Sequence, residues 1–199
     1  MSTPEFQPFP KLARLSREII ITEKIDGTNA QVFITEDGDI FTGSRNRWIT
    51  PQSDNYGFAK WVEGNKADIL KLGPGRHFGE WWGNGIQRNY GLKEKRWSLF
   101  NVRRWCRYNE PPVVIPQENP TLPEKRQEQL PECVGLVPIL AIRDTFDTAW
   151  VDFALNSLKA LGSTAAPGFM DPEGIVVYHS ASGFAFKKTI KDDHKPKSA

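Results

Sequence analysis

Cysteine is scarce in this sequence, which has two, Cys106 and Cys133, among its 199 residues. The two cysteines form no Cys-x-x-Cys pair, and the three histidines stand at no zinc-ligand spacing from them. The sequence therefore predicts no structural zinc site. Two isolated thiols are typical of a reduced cytoplasm, where a disulfide between them is the disfavoured alternative.

A strong net charge and a long apolar run are also missing. The formal net charge is +2 at pH 7, so any nucleic-acid binding must come from a local patch rather than from the overall field of the chain. No apolar run approaches membrane-spanning length, and the N-terminus shows no hydrophobic signal region. We therefore expect no membrane association.

The residues that are abundant suit a folded globular protein. Hydrophobic residues make up 39% of the chain and charged residues 25%, which are ordinary proportions for such a protein. Seven Trp and twelve Phe supply rings for a core or for stacking on bases. At this length we expect one domain over residues 1–199.

Short apolar runs between turn signals predict more strands than helices. The predicted strands span residues 19–24, 30–35, 40–43, 76–82, 97–102, 134–140, 174–179 and 184–190. Helical apolar spacing predicts helices over residues 58–72 and 148–161, each followed by a glycine. Residues 44–55 and 109–132 are predicted to be irregular. This pattern favours an α+β fold of mainly antiparallel sheets with flanking helices over a parallel, doubly wound sheet.

A lysine stands at the end of the first predicted strand, in the sequence Glu23-Lys24-Ile25-Asp26-Gly27-Thr28-Asn29. A lysine amine is a nucleophile once it has lost its proton. On its own the stretch is ordinary, because Asp-Gly is a common turn and lysine a common surface residue. The assignment of a reactive lysine therefore depends on partners elsewhere in the chain.

Four further patterns follow the lysine in order, each close to a strand end. They are Ser44-Arg45-Asn46-Arg47, Phe78-Gly79-Glu80, Glu173-Gly174-Ile175-Val176 and Phe186-Lys187-Lys188. Taken singly, each fits a solvated turn or a strand entering the core. Together they give a lysine, an arginine loop, two separate acids and a lysine pair, an order that chance does not explain.

That ordered set resembles the covalent nucleotidyltransferases, which are the polynucleotide ligases and mRNA capping enzymes. Lys24-Ile25-Asp26-Gly27 is similar to their Lys-x-Asp-Gly attachment motif, and the other four patterns are similar to their later motifs. Thr28-Asn29 is closer to ATP-dependent RNA ligases of the bacteriophage and RNA-repair type. The resemblance covers about residues 23–188 and implies the nucleotidyltransferase, ATP-grasp-like fold.

The resemblance also implies a set of catalytic residues. Lys24 would attack the α-phosphorus of ATP and become lysyl-AMP, with Lys187 and Lys188 as the catalytic cations. The family usually separates the two lysines of its last motif by one residue. Because Lys187 and Lys188 are adjacent, the sequence leaves open which of them takes each place.

The remaining implied roles concern the nucleotide and the metal. Glu23 would contact the adenine amino group, and Glu80 would accept from a ribose hydroxyl. Phe100 would lie against the base, with a core phenylalanine as the alternative. The implied nucleotide-binding set is Glu23, Asp26, Gly27, Asn29, Arg45, Glu80, Phe100 and Glu173, with Asn29 and Arg45 at phosphates and Glu173 also binding Mg2+ or Mn2+.

The expected partner is RNA, with DNA left open, carrying a 5′-phosphate and a 3′-hydroxyl. The chain ends soon after the last motif, so we expect no appended C-terminal OB or helical domain, and end recognition would be weak or would come from a partner protein. Arg103, Arg104, Trp105, Arg107 and Tyr108 are a candidate nucleic-acid stretch, with a strand edge bearing solvated charges as the competing interpretation.

Two alternatives to an RNA ligase stay open on the sequence. One is a minimal ATP-dependent DNA ligase, and another is a non-catalytic nucleic-acid-binding relative. A capping guanylyltransferase is disfavoured because the chain has no capping-specific C-terminal domain, and NAD+ use because no nicotinamide-binding segment precedes Lys24. The expected location is the cytoplasm, or the host cytoplasm if a bacteriophage encodes the chain.

Overall fold

The computed structural model describes residues 3–105 and 130–195, in which ten strands form two sheets. The strands are β1 (Ile19–Lys24), β2 (Thr28–Ile34), β3 (Ile40–Gly43), β4 (Trp48–Ile49), β5 (Gly75–Gly83), β6 (Lys95–Leu99), β7 (Val134–Leu136), β8 (Ile139–Arg143), β9 (Gly174–His179) and β10 (Phe184–Thr189). Their order is β10-β9-β1-β8 in the four-stranded sheet and β4-β3-β2-β5-β6-β7 in the six-stranded sheet. The β6–β7 pair is parallel, and the other described pairs are antiparallel.

Helices cover the outer faces of the two sheets, except for a short helix over residues 102–105 that lies beside the space between the sheets. They are α1 (Phe58–Gly64), α2 (Lys66–Ile69), α3 (Val102–Trp105) and α4 (Thr148–Leu161), with a 3-10 helix at Leu70–Leu72. Phe58 of α1 packs with Val32 of β2 in the core of the six-stranded sheet. Val151 and Leu158 of α4 pack against the four-stranded sheet. The predicted α+β fold of mainly antiparallel sheets with flanking helices is confirmed.

A third core fills one end of the space between the sheets. Alternate residues of β1 point to opposite faces, as a strand requires. Ile19 and Ile21 face α4, whereas Ile20 joins Trp82 and Val137 in the inner core. The inner faces of the two sheets therefore meet, and residues on those faces line any space that the inner core leaves open.

Several predicted elements agree with the structure to the residue. The strands over residues 19–24, 40–43 and 174–179 and the helix over 148–161 have their predicted bounds. The helix α4 begins where the Asp147 carboxylate accepts from the Ala149 N–H, and it ends at Gly162, whose φ is 85°. These elements carry their start and stop signals in their own sequence.

Three predicted elements were wrong in extent. The predicted helix over residues 58–72 is divided after Gly64, and at this point the side-chain amide and the backbone N–H of Asn65 both donate to the Trp61 carbonyl. The predicted strand over 134–140 is divided between β7 and β8 in different sheets, and Pro138, which lacks an N–H, lies at the division. The segment 44–55, predicted to be irregular, contains β4.

The predicted strand over residues 97–102 was also wrong at its end. β6 stops at Leu99, and Val102 begins the short helix α3. Of the segment predicted to be irregular over 109–132, residues 109–129 lie outside the described residues. Within the described ranges no helix has the length and apolar character needed to cross a bilayer.

Candidate active site

A cavity of about 600 Å³ lies between the inner faces of the two sheets. Its lining includes Lys24 from β1, Val176 from β9, and Asn29, Glu80 and Phe100 from the six-stranded sheet or its edge. This volume falls in the range of about 300–1,000 Å³ that small-molecule sites occupy. Several of the motifs that the sequence analysis selected therefore meet around one enclosed space.

Lys24, the last residue of β1, forms an ion pair with Glu173. The Lys24 Nζ donates to Oε2 of Glu173 over 2.5 Å, with the lysine side chain 19% and the glutamate side chain 5% exposed. The contact follows from strand pairing, because Lys24 is opposite Gly174, the residue after Glu173. Residues 149 positions apart in the chain are thus brought together by the antiparallel β1–β9 ladder.

Glu80 is held by the turn that follows Lys24. The Gly27 N–H donates to one carboxylate oxygen of Glu80 over 3.0 Å, and the Asn29 amide donates to the other over 3.3 Å. A Cβ at residue 27 would lie 2.5 Å from the Trp81 carbonyl oxygen, so this close approach requires glycine. Glycine at residue 27 therefore allows the turn to pack closely against Trp81, and its N–H supplies a hydrogen bond to Glu80.

Burial changes the protonation of Glu80. Removal from water raises the pKa of Glu80 from its usual 4.5 to about 7, and Glu173 and Asp26 add to the rise. The Lys24 ammonium and the Gly27 N–H oppose this rise but are outweighed. Near neutral pH this carboxyl therefore carries a proton in a large fraction of the molecules.

We expect Glu80 to make the nucleotide-free protein less stable as the pH rises from 4.5 to about 7. A raised pKa means that the folded state holds the proton more tightly than the unfolded state, so stability is full below 4.5 and is lost through this window. A shift of this size corresponds to about 3 kcal/mol. Urea unfolding at pH 5 and pH 8 should show a loss of this order in wild type relative to Glu80→Gln, and parallel pH profiles would contradict it.

An ionic network behind the turn was missed by the sequence analysis. The Asp26 N–H donates to the Tyr90 hydroxyl over 2.8 Å, and the Arg88 Nε contacts the Asp26 carboxylate at 2.9 Å. Arg88 also contacts Asp171 at 2.8 Å, and Asp171 in turn contacts Lys191 at 2.7 Å. The turn that follows Lys24 is therefore tied to the segment before β9. Arg88 and Tyr90 belong to no recognisable motif, so the sequence held no signal for them.

Glu23 lies on the opposite face of β1 from Lys24. Its two carboxylate oxygens accept from the Ser163 hydroxyl at 2.5 Å and from the N–H groups of Thr164 and Ala165 at 2.8 Å each. Burial raises the pKa of Glu23, and these hydrogen bonds lower it to a smaller extent. Glu23 thus anchors the turn after α4, a role that the sequence did not predict. Glu23 is also among the residues that line the cavity, and its contact with adenine stays a prediction.

The two adjacent lysines of the last motif fall on opposite faces of β10. Lys187 is paired with Val176, which lines the cavity, whereas Lys188 is paired with Ile175, which is buried against α4. The Lys188 Nζ donates to Asp152 of α4 over 2.6 Å. Because directly paired residues share a face, Lys187 is on the side of β10 that faces the cavity, although it is not among the described residues that line the cavity.

Of two other candidates, Phe100 and Arg45, only Phe100 lies at the cavity. Phe100 is 42% exposed and follows the end of β6, where its N–H donates to the Phe78 carbonyl over 3.0 Å. Arg45 is exposed in the turn after β3, and it is outside the set of described residues that line the cavity. The structure therefore brings Phe100, but not Arg45, to the cavity in this state of the protein.

Where the structure describes it, the predicted basic and aromatic stretch is a helix and not a strand edge, and Arg103, Arg104 and Trp105 are among the residues that line the cavity. Its role in nucleic-acid binding stays a prediction. Residues 102–105 form a helix, and Trp105 is buried, so its ring is not available for stacking on a base. The Arg104 guanidinium lies over that ring at 4.7 Å and donates to the Leu72 carbonyl, while Arg103 lies 3.6 Å from Glu18. Residues 107 and 108, together with Cys106, lie outside the described residues.

Comparison with known proteins identifies relatives of this chain. A family model described as RNA ligase matches residues 17–191. No curated protein matches the sequence. Among solved structures, a Naegleria gruberi RNA ligase variant with ATP and Mn has 19% identity and a TM-score of 0.54, over 87% of this chain and 50% of that chain. A second variant, with AMP and Mn, has 20% identity and a TM-score of 0.55, over 88% of this chain and 50% of that chain.

These structures support the fold, and they are longer proteins. The apo form of another Naegleria gruberi RNA ligase variant has 22% identity and a TM-score of 0.55, over 87% of this chain and 49% of that chain. This chain therefore spans about half the length of the solved structures that it matches. At such identities the likeness extends to the nucleotidyltransferase fold.

Proposed function

This chain belongs to the RNA ligase family, and we propose that it is an ATP-dependent adenylyltransferase of the RNA-ligase type that forms lysyl-AMP on Lys24. The observation that carries the proposal is that Lys24 and Glu80 line one cavity of about 600 Å³, with Glu173 ion-paired to Lys24. A lysine, a buried acid that can bind a hydroxyl and an acid that can bind a metal are the groups that this reaction needs.

The first step uses the amine of Lys24 as the nucleophile. A free lysine side chain, with a pKa of about 10.4, is neutral in roughly one molecule in a few thousand at pH 7. The amine must leave Glu173 and lose its proton before it can attack the α-phosphorus of ATP. A nitrogen–phosphorus bond then forms, the bond between the α-phosphorus and the bridging oxygen breaks, and pyrophosphate leaves.

The other cavity residues bind and orient the nucleotide. Glu80 in its ionised form accepts a hydrogen bond from a ribose hydroxyl, while Gly27 and Asn29 keep its two oxygens in position. Phe100 and Val176 supply apolar surface for the base. Lys187, on the cavity face of β10, contacts the phosphates that become pyrophosphate.

The residues present fit a divalent metal that is held mainly by the nucleotide. No group of three or more His, Cys, Asp or Glu side chains in residues 3–105 and 130–195 is placed to hold a metal ion alone. Mg2+ commonly takes one or two protein carboxylates and completes its shell with phosphates and water. Glu173 would provide that carboxylate, and the bound cation would neutralise phosphate charge and draw the carboxylate away from Lys24.

The later steps would use a polynucleotide. The AMP passes to a 5′-phosphate end, and a 3′-hydroxyl then attacks that end with release of AMP. RNA is the proposed acceptor because of the family, and a DNA acceptor is the alternative for the same chemistry. A bacteriophage or RNA-repair setting and a partner protein that supplies end recognition belong to the same proposal.

The test is the covalent adduct itself. Protein stripped of bound nucleotide is incubated with Mg2+ and ATP labelled at the α-phosphate, then analysed by denaturing electrophoresis and intact mass. We expect a labelled band with the mass of one added AMP, and peptide mapping should assign it to Lys24. An absence of adduct with ATP, GTP and NAD+ alike would overturn the enzyme and leave the non-catalytic nucleic-acid-binding protein.

A further inference from the structure

The six-stranded sheet extends past the four-stranded sheet and leaves part of its inner face uncovered. Its strands β2, β3 and β4 lie on the far side of β5 from β6 and β7. Their inner-face side chains, with those of β5, are largely aromatic. The exposed rings are Phe41 at 48%, Trp48 at 49% and Phe78 at 50% exposure, with Phe33 half-buried between them.

Strand register fixes these rings to one face. Phe33 is paired with Phe41 on one side and Arg76 on the other, and Gln31 is paired with Gly43 and Phe78. Trp48 is paired with Gly43. Because paired residues share a face, these side chains form one surface, which we call the aromatic platform (Phe33, Phe41, Trp48, Arg76 and Phe78).

A cation is built into the aromatic platform. The Arg76 guanidinium lies 4.6 Å from the centre of the Phe33 ring and 5.5 Å from that of Trp48, and it donates to the Gln31 side chain. The rings of Phe33, Phe41 and Trp48 are spaced by 6.3 and 6.0 Å and tilted to one another. The platform therefore offers ring faces and a positive charge side by side, with Arg45 exposed at its rim.

The aromatic platform is continuous with the cavity that holds Lys24. Arg76 and Phe78 line that cavity, and both precede Glu80 on the same face of β5. On the far side the platform ends at the β2–β3 turn, where Asp37 and Asp39 are exposed acids. Negative charge would repel a polyanion there, so an anionic chain on the platform is directed toward Lys24.

We propose that the aromatic platform binds unpaired nucleotides of an RNA strand whose 5′-phosphate end lies at the Lys24 cavity. The proposal rests on the proposed function for the identity of the end. Unpaired bases can stack on exposed rings, and Arg76 can contact the backbone between them. A duplex keeps its base faces inside its own stack, so the platform selects a single-stranded segment over a nicked duplex.

The test compares binding of two RNAs by fluorescence anisotropy. One is a single strand of about a dozen nucleotides with a 5′-phosphate, and the other is the same strand within a nicked duplex. We expect Trp48→Ala and Phe41→Ala each to weaken binding of the single strand by roughly five- to a hundredfold, the range for loss of one base–ring stack. Trp48→Phe, which keeps a ring, should retain most of the affinity.

Matched controls come from the other sheet. Phe184 and Phe186 are 68% and 61% exposed on β10, away from the platform, so Phe184→Ala and Phe186→Ala should bind the single strand as wild type does. Neither Trp48 nor Phe41 is among the described residues that line the Lys24 cavity, so their variants should form the AMP adduct at the wild-type rate. Matching thermal unfolding of the variants would exclude a folding defect.

The outcomes test the aromatic platform separately from the proposed adenylyltransferase. Equal binding of the single strand by wild type, Trp48→Ala and Phe41→Ala would overturn the platform, as would a preference of wild type for the nicked duplex. A change in self-association of Trp48→Ala without a change in RNA affinity would overturn it in favour of a protein interface. Binding that depends on Trp48 in a protein that forms no adduct would support the platform and reject the enzyme.

Discussion

Replacing Lys24 with alanine is expected to abolish adduct formation, with labelled AMP on the protein falling by more than about a thousandfold. The reason is that no other described lysine is on the same face of β1 at the end where Glu80 and Glu173 approach. Removal of the nucleophile leaves nucleotide binding by Glu80 and Phe100 in place. ATP should therefore still bind to Lys24→Ala, as measured by calorimetry, while single-turnover labelling finds no adduct.

The Lys24→Arg variant tests the nucleophilic role of the Lys24 amine separately from its ion pair with Glu173. Arginine can keep a charged contact with Glu173, but its guanidinium is not deprotonated in proteins and cannot attack phosphorus. Lys71→Ala serves as the matched control, since Lys71 is an exposed lysine paired only locally with Asp68. Adduct formation by Lys24→Arg, or its loss in Lys71→Ala, would contradict the assignment of Lys24.

The sequence predicted local structure best where an element carries its own boundaries. The helix α4 begins at an Asp147 cap and ends at Gly162, and both signals can be read without any knowledge of the fold. The strands β1, which ends at Lys24, and β9, which follows Glu173, are likewise bounded by polar residues or glycine. The cavity itself follows from these strands only once their pairing is known.

The sequence could not predict features that depend on tertiary pairing. Nothing in residues 134–140 indicates that the chain passes from one sheet to the other at Pro138. Arg88 and Tyr90 lie in an irregular segment, and only the fold brings them beneath the Asp26 turn. The anchoring role of Glu23 has the same cause, since the turn that it binds is 140 residues away in the chain.

The register of β10 distinguishes two lysines that the sequence left equivalent. Lys187 and Lys188 are neighbours in the chain, and a strand points neighbouring side chains to opposite faces. Lys187 shares its face with Val176 and the cavity, whereas Lys188 reaches across to Asp152 on α4. The register therefore supports the proposal that Lys187 contacts the phosphates, while Lys188 packs against α4.

We therefore expect Lys187→Ala to slow adduct formation by roughly a hundredfold or more, because it removes a positive charge from the side where pyrophosphate develops. Lys188→Ala should change the rate by less than about threefold and the stability by no more than about 1 kcal/mol, as is usual for an exposed ion pair. Single-turnover labelling with ATP at saturating Mg2+, together with urea unfolding, measures both quantities. A larger rate loss in Lys188→Ala than in Lys187→Ala would reject the register-based assignment, since the charge that matters would then reach the phosphates from the α4 face.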